Sequence, residues 1–525
     1  MCLPYLFFLY RTDLPRYFIY SKGRIVEDIL DLGGFDSMWT EYVSFYLGCS
    51  FTFETALMEN GVKLPHVLRG KNVSIYDSNI ALCPVGPFKG KMVITMRMVA
   101  KNLLGKAFMI SSQYPDHHSA PVHIGDPSRI GVNDIMKPEK GDPPIEVQDG
   151  DVPMFWACGV TMQEAIFSAS MLNTPLNAMT HVYNIYFTVE PRLAFSHYPG
   201  SMFITDVKVE PKDLEDTVEI VQLSRPNDAY FASVINHKSL PFFEVLERAL
   251  LDDPGKRGIA HLFQKSDLLK ATLALSHART VAVTTGFPAC TEFDVKEETD
   301  GLPGALAVCQ ALITLGKEVT LIVDEGSEKL YNSCVEHLVG TGAFEAGKLT
   351  VIPFEKAKER LQQSSSPSPP VYDCLLAIER AGRNCRGTYC SMKGKDISQY
   401  VQPVDELFEM ARQNPHVTTI GIGDGGNELG MGKVYDSVVK NIPLGETIAC
   451  NVSADYLVVS GVSNWGGYAV AGGLYVASSS PFHWRYRNHA INADQPPQFN
   501  LHKFLPTTEQ VSYNIIFSAK VDRCE

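Results

Sequence analysis

The chain has 525 residues, 45% of them hydrophobic, which suffices for large buried cores and implies two or more domains. Its 46 basic and 59 acidic side chains leave a formal charge of -13, which opposes non-specific attraction to nucleic acid or an anionic membrane and favours a small-molecule partner. Twelve cysteines without CxxC spacing exclude a dense disulfide framework and a zinc ribbon, and read as mostly reduced thiols.

In chain order, Met1 to Tyr10 is apolar but too short to span a bilayer, and no basic stretch precedes it as in a signal peptide. Arg11, Arg16, Lys22 and Arg24 follow, interrupted by Asp13, and meet the acid-poor pattern of an organelle transit peptide only weakly. Residues 11–206, rich in Pro, Gly, aromatic residues and short apolar runs such as Met92 to Met96, suit a mixed α/β domain with long loops. Residues 207–257, with the helix-favouring stretch Phe242 to Leu251, read as a connector.

From 258 to 520 the pattern becomes regular. Buried strands are expected at Thr280–Thr284, Glu318–Val323, Leu349–Pro353, Tyr372–Ile378 and Val417–Ile422, most of them separated by helical stretches. This alternation predicts a parallel, doubly wound, Rossmann-like α/β domain. One helix is punctuated by Pro303 in its first turn and Gly316 at its end. Ser364 to Pro370 reads as a low-complexity loop.

Two regions concentrate proton carriers. The turn Asp116-His117-His118-Ser119-Ala120-Pro121-Val122-His123-Ile124-Gly125-Asp126 sets three imidazoles and two carboxylates among Pro and Gly. In the second region, ligands of open α/β sheets bind beyond the carboxyl ends of strands, which selects Thr284, Thr285, Asp324, Glu379 and Asp424. Gly421-Ile-Gly423-Asp424-Gly425-Gly426 formally matches GxGxxG after a strand. Yet Asp424 and Glu428 stand in or beside the turn that would cradle pyrophosphate, and no strong helix opens before Lys433. The loop with Asp424, Asn427 and Glu428 suits a hard cation or an amine better, and no nucleotide cofactor is expected. Cys49, Cys83 and Cys158 sit at probable turns, where a neighbouring histidine would be needed to make any of them a nucleophile.

Several longer motifs carry a family resemblance. Gly48 to Glu54 (GCSFTFE), Cys83 to Phe88 (CPVGPF), Ala120 to Pro127 (APVHIGDP), Phe155 to Thr161 (FWACGVT) and His197 to Asp206 (HYPGSMFITD) resemble a bacterial hydro-lyase family. Thr284 to Phe287 (TTGF), Glu298 to Ala305 (ETDGLPGA), Ile378 to Asn384 (IERAGRN), Gly421 to Gly432 (GIGDGGNELGMG) and Gly461 to Ala469 (GVSNWGGYA) resemble the C-terminal domain of the D-glutamate cyclase family. The resemblance covers nearly everything after Arg11 and implies conversion of D-glutamate to 5-oxo-D-proline and water, in the mitochondrial matrix.

Such a reaction needs a deprotonated α-amine, a neutralised γ-carboxylate and a stabilised oxyanion, but no ATP. In the first domain His123 would be the base, Asp126 would fix its tautomer, His118 would assist, and Glu54, raised in pKa by Phe51 and Phe53, would donate a proton. In the second domain Asp300, Asp424 and Glu428 would act, holding a divalent cation such as Mg or Mn. Arg380 or Arg383 would clamp the α-carboxylate, and motif membership places Thr285, Gly286, Gly425, Gly426, Asn427 and Asn464 against the substrate. The second domain is favoured because the family name attaches to it. The alternatives left open are a hydro-lyase for another small carboxylic acid in the first domain and a binding module for an acidic metabolite or cation.

Overall fold

The computed structural model describes residues 14–21, 24–41, 47–86, 88–170, 193–198, 209–289, 298, 300–340, 342, 344–363, 370–490, 498–501 and 504. The apolar N-terminal run, most of the HYPGSMFITD motif, nearly all of the 364–370 loop and the chain after 504 lie outside them. The chain divides into two units, Met1–Glu215 with His489–Ala493 and Asp216–Asn488 with Asp494–Glu525.

The first unit contains strands β1 (Tyr17–Ser21), β2 (Arg24–Ile29), β3 (Ser74–Ala81), β4 (Lys91–Ala100), β5 (His123–Ile124), β6 (Asp151–Ala157) and β7 (Ala194–His197). They form two antiparallel sheets, ordered β2-β1-β7 and β3-β4-β6-β5. Helices α1 (Phe51–Glu59), α2 (Pro65–Leu68), α3 (Leu104–Ser112) and α4 (Thr161–Ser170) accompany them. The apolar run Met92–Met96 lies in β4, which is buried continuously from Met92 to Arg97. A strand inaccessible on both faces reads as an unbroken hydrophobic run, and here the charged Arg97 is sealed in at its end.

In the second unit, β8 (Val218–Gln222) and β9 (Ala232–Asn236) form an antiparallel ribbon followed by α5 (Leu240–Leu250). Most of the stretch expected as a connector is therefore ordered structure of this unit. Next come α6 (Asp267–His277), β10 (Thr280–Gly286), α7 (Leu302–Thr314), β11 (Glu318–Val323), α8 (Glu328–Gly340), β12 (Leu349–Pro353), α9 (Phe354–Gln363) and β13 (Cys374–Arg380). The unit continues with α10 (Asp405–Arg412), β14 (Thr418–Gly423), α11 (Tyr435–Asn441), α12 (Gly445–Ile448), β15 (Tyr456–Val459), α13 (Ser463–Ser479) and α14 (Pro481–Arg487). The six strands β10–β15 pair in parallel in the order β12-β11-β10-β13-β14-β15.

Successive strand residues feed opposite cores, as strand periodicity demands. Val281, Val283, Leu376 and Ile378 pack with Leu273, Val308 and Val470, whereas Ala282, Leu375 and Ala377 pack with Phe354, Phe408 and Val438. The sheet is thus covered on both faces, the α/β class that the alternation predicts. The chain begins at central β10, winds outward to β12, then crosses to β13 and winds outward the other way. This is the order of the Rossmann sheet, and its reversal places the ligand crevice beyond the carboxyl ends of β10 and β13. Two expected strands matched their runs, β11 and β12, but β13 lies two residues later than Tyr372–Ile378. Asp373 instead accepts hydrogen bonds from the N–H groups of Arg279 (2.7 Å) and Thr280 (3.1 Å), ahead of the strand. No described helix is long and apolar enough to cross a membrane.

Candidate active site

At the crevice, β10 and β13 lose register. Thr285 pairs with Ile378 and Gly286 with Arg380, leaving Glu379 as the extra residue of a bulge. Glu379 has φ +42°, in the left-handed region, and only 5% of its surface is exposed. Bulges re-aim side chains, and a non-glycine residue at positive φ persists only where its surroundings enforce it. Gly301 supplies part of that enforcement. With φ +95°, a Cβ there would lie 2.6 Å from both Glu379 Cβ and Thr285 Oγ1.

Two helices cap each other across this wall. Asp300 accepts from the N–H groups of Asn464 (2.9 Å) and Ser463 (3.1 Å) at the start of α13 and of Gly301 (2.8 Å). Asn464 in turn accepts from Gly301 (3.1 Å) and Gly304 (2.8 Å) at the start of α7. Each side chain fills N–H groups that a helix start leaves unpaired. The Ser463 hydroxyl donates to Glu379 Oε2.

Beyond β14, the glycine-rich loop wraps its own acid. Glu428 accepts from the N–H groups of Asp424 (2.9 Å), Gly425 (2.6 Å) and Gly426 (2.7 Å). These are the donors a pyrophosphate would take, and a carboxylate already holds them. The glycines serve packing: a Cβ on Gly421 would meet Leu429 O at 2.7 Å, and one on Gly425 would meet Met392 Sδ at 2.6 Å. The helix after the loop begins only at Tyr435, following a short turn at Gly432–Val434.

Asp300, Glu379 and Asp424 each offer a carboxylate oxygen, all within 4.8 Å of one another. Glu428, expected as the third member of a metal set, spends its oxygens on the loop instead, and Glu379 takes that place. Arg257 pairs with Asp424, its side chain 35% exposed. Burial first, then Asp424, Glu428 and Asp300, push Glu379 well above the ordinary carboxyl range. Burial and Glu428 do the same for Asp424 against the pull of Arg257. Asp300 is raised by burial despite its N–H donors. The Thr285 hydroxyl, 1% exposed, has no hydrogen-bond partner among the described residues.

Other expected binders have different duties. Arg380 grips Asp324 with two bonds (2.9 and 2.5 Å) and the Gln402 carbonyl (3.0 Å). Arg383 pairs with Asp405 (3.3 Å) and Glu409 (2.7 Å). Both expected clamps are paired with acids in this structure, Arg380 with none of its side chain exposed and Arg383 with 31%. Asn427 donates to Cys390 O (2.8 Å), and the Gly425 and Gly426 N–H groups belong to Glu428. The site cation, Arg257, was hidden at the edge of what reads as a connector.

In the first unit, His123 Nε2 bonds the backbone carbonyl of Asp126 (2.8 Å), not its carboxylate, which binds Ser128 N (3.0 Å) and Oγ (2.6 Å). Burial lowers His123 to about 4, so its ring is a neutral, enclosed group. Glu54 departs from expectation in the opposite direction. Burial would raise it, but Arg97 and His66 outweigh burial and hold it below the usual range, as an ion-pair partner and not as an acid.

Comparison with known proteins matches residues 246–515 to a family described as D-glutamate cyclase-like, C-terminal, and residues 43–206 to one described as D-glutamate cyclase. The chain is 34% identical over 500 residues to "D-glutamate cyclase, mitochondrial" of Homo sapiens, covering 93% of this chain and 76% of that protein. Over 201 residues it is 39% identical to "Putative hydro-lyase YcsI" of Bacillus subtilis, covering 38% of this chain and 69% of that one. A "Putative hydro-lyase" of Stutzerimonas stutzeri is 41% identical over 201 residues, 38% of this chain and 67% of that one.

Proposed function

The chain belongs to the D-glutamate cyclase family, and from that premise we propose that the carboxylate cluster of the second unit is where D-glutamate closes to 5-oxo-D-proline. The enzyme is a hydro-lyase with a small-molecule substrate. Matching families cover both units, so the family name does not choose between them, and the assignment rests on geometry. The observation that carries it is Glu379, re-aimed by a bulge and held at positive φ among acids at the switch point.

The reaction forms a bond from the α-nitrogen to the carbon of the γ-carboxyl group, Cδ, and breaks one of that carbon's bonds to oxygen. The ammonium loses two protons and the departing oxygen gains two, so the balance needs a relay and no net proton. A carboxyl whose proton is held well above the ordinary range suits that relay, because it both accepts from the amine and returns to the oxygen. Glu379 takes this role, with the Ser463 hydroxyl fixing one of its oxygens. Arg257 would exchange Asp424 for the substrate α-carboxylate, and the acids would receive the ammonium. Holding amine and carboxyl of one molecule together supplies part of the roughly 7–11 kcal/mol available from proximity.

A second reading rests on the three oxygens within 4.8 Å: Asp300, Glu379 and Asp424 would hold a divalent cation, Mg or Mn, that polarises the γ-carboxylate. Turnover that survives EDTA selects the proton relay; turnover lost to EDTA and restored by Mg or Mn selects the cation. The proposed compartment is the mitochondrion, after the human relative's name, and a C-terminal fluorescent fusion that stays outside mitochondria would refute it. For the site itself, Arg257→Lys should raise KM for D-glutamate while 4-aminobutyrate, which lacks the α-carboxylate, gains nothing from the wild-type arginine. Equal KM values in both proteins would remove the arginine from substrate binding.

A further inference from the structure

If Arg257 releases Asp424 to take the α-carboxylate of the substrate, whatever fixes Arg257 also sets how well the substrate is held. Arg257 stands in the loop 251–258 between α5 and α6. Burial would lower its pKa, but the charges of Asp424, Glu428, Glu379 and Glu298 raise it, so the guanidinium is drawn towards the acids of the site. A long, flexible side chain presents its fork in one place only if its backbone and its stem are both held.

Asp253 holds the backbone. Its Oδ1 accepts from the Arg257 N–H (3.0 Å), its Oδ2 from the Gly258 N–H (2.8 Å), and its carbonyl oxygen from the Lys256 N–H (3.1 Å). The turn closed in this way flanks Arg257 with two left-handed residues, Lys256 (φ 51°) and Gly258 (φ 85°). A non-glycine residue stays at positive φ only where its surroundings enforce it, and the Asp253 carboxylate supplies that enforcement. Burial would raise Asp253, but the N–H groups of Arg257, Gly258 and Ile259 and the Arg257 charge hold it below the usual carboxylate range. The pin is therefore ionised at neutral pH.

Gly255 holds the stem. A Cβ there would lie 3.2 Å from Arg257 Nε, 3.3 Å from Cγ and 3.5 Å from Cδ, so the side chain runs along a surface that an added methyl would crowd. The loop is anchored beside the acids. The Gly461 N–H donates to Leu250 O (2.9 Å), and a Cβ on Gly461 would collide with Asp252 O at 1.7 Å. Gly461 stands two residues before α13, whose Ser463 and Asn464 N–H groups bind Asp300. Clamp and acids thus share one frame, while the Arg257 side chain, 35% exposed, has a head that is free to turn.

We propose that Asp253 and Gly255 are positioning residues for D-glutamate: they fix the base and the stem of Arg257, so that exchanging Asp424 for the substrate α-carboxylate is a rotation of the guanidinium head alone. The inference rests on the reading of Arg257 as the α-carboxylate clamp. Both residues act through Arg257, so their effect falls on KM and not on kcat.

The test is steady-state kinetics on D-glutamate with the full chain carrying Asp253→Ala, Gly255→Ala or Arg257→Lys, and with each of the first two combined with the third. Asp253→Ala should raise KM about tenfold, the scale of one lost hydrogen bond to a charged group, with kcat within about twofold of wild type. Gly255→Ala, a shift of the stem with the Asp253 bonds intact, should raise KM about threefold. In the Arg257→Lys background both effects should shrink to about twofold or less, because lysine has no planar fork to misplace. Gly255 lies outside the left-handed region, so its alanine variant strains no backbone and carries the test if Asp253→Ala fails to fold. Undiminished KM effects in the Arg257→Lys background, or a fall in kcat at unchanged KM, overturn the proposal. A raised KM in Arg257→Lys with wild-type KM in the other two single variants overturns it and leaves the clamp standing. Wild-type KM in all three single variants removes the clamp itself.

Discussion

At the scale of single residues, Glu379 combines a stability cost with a chemical use. Its pKa in the folded protein lies above the unfolded value, so the native state holds the proton more tightly. Stability from this group is complete below about pH 4 and is lost as pH rises through the folded value. Glu379→Gln keeps an oxygen for the Ser463 hydroxyl but carries no charge to bury. The variant should lose about 10²–10⁴-fold in turnover while melting above wild type at pH 8 and level with it near pH 4. Each 1 kcal/mol recovered is worth about 2–4 °C in domains of 150–250 residues. Thermal melts at the two pH values check the sign; a lower Tm for the variant at pH 8 would contradict it. Glu379 was legible as a strand-end acid, but nothing in the letters marked it above Asp324, which lies under Arg380. Glu428 misled because sequence displays a charge without displaying what the charge faces, here three N–H groups of its own loop.

At the scale of elements, the reciprocal caps of α7 and α13 position the acids. Asn464→Ala strips the acceptor from Gly301 and Gly304 and should cost about 0.5–2 kcal/mol, the range of a lost N-cap. Because Gly301 follows Asp300 directly, kcat should fall further than stability alone accounts for, whereas unchanged kcat in the folded variant would detach the caps from catalysis. Strand periods and helix punctuation made β11, β12 and α7 readable to within one or two residues at each end. The later span of β13 was not readable, because the bulge that carries it past Ile378 depends on a neighbouring strand and on Gly301. Likewise β8, β9 and α5 read as a connector: charged, exposed positions in β8 and α5 hide the apolar residues Val221, Ile235 and Phe243, which with Phe231 ahead of β9 join the large core.

At the scale of the whole molecule, the strand order did what composition could not. Alternating runs predicted a doubly wound sheet, but only the pairing β12-β11-β10-β13-β14-β15 located the reversal and with it the crevice. If the cyclisation occurs there, D-glutamate should protect that unit alone. In hydrogen exchange on the turnover-deficient Glu379→Gln protein, slowed exchange is expected at 284–286, 300–304 and 424–428, with no change at 116–124. At a hundredfold excess over Kd the ligand should add about 2.7 kcal/mol to the stability of the second unit. Protection confined to 116–124 would instead place the substrate at the histidine turn.

Whether the carboxylate cluster of the second unit closes D-glutamate is decided by chiral chromatography of D- and L-glutamate after incubation with the wild-type chain, Glu379→Gln and Asp424→Asn, each shown folded by circular dichroism. The expected result is 5-oxo-D-proline from the D-isomer with the wild-type chain and a loss of product of about 10²-fold or more in both variants. Wild-type rates in the two variants would contradict the account and move the reaction out of the second unit.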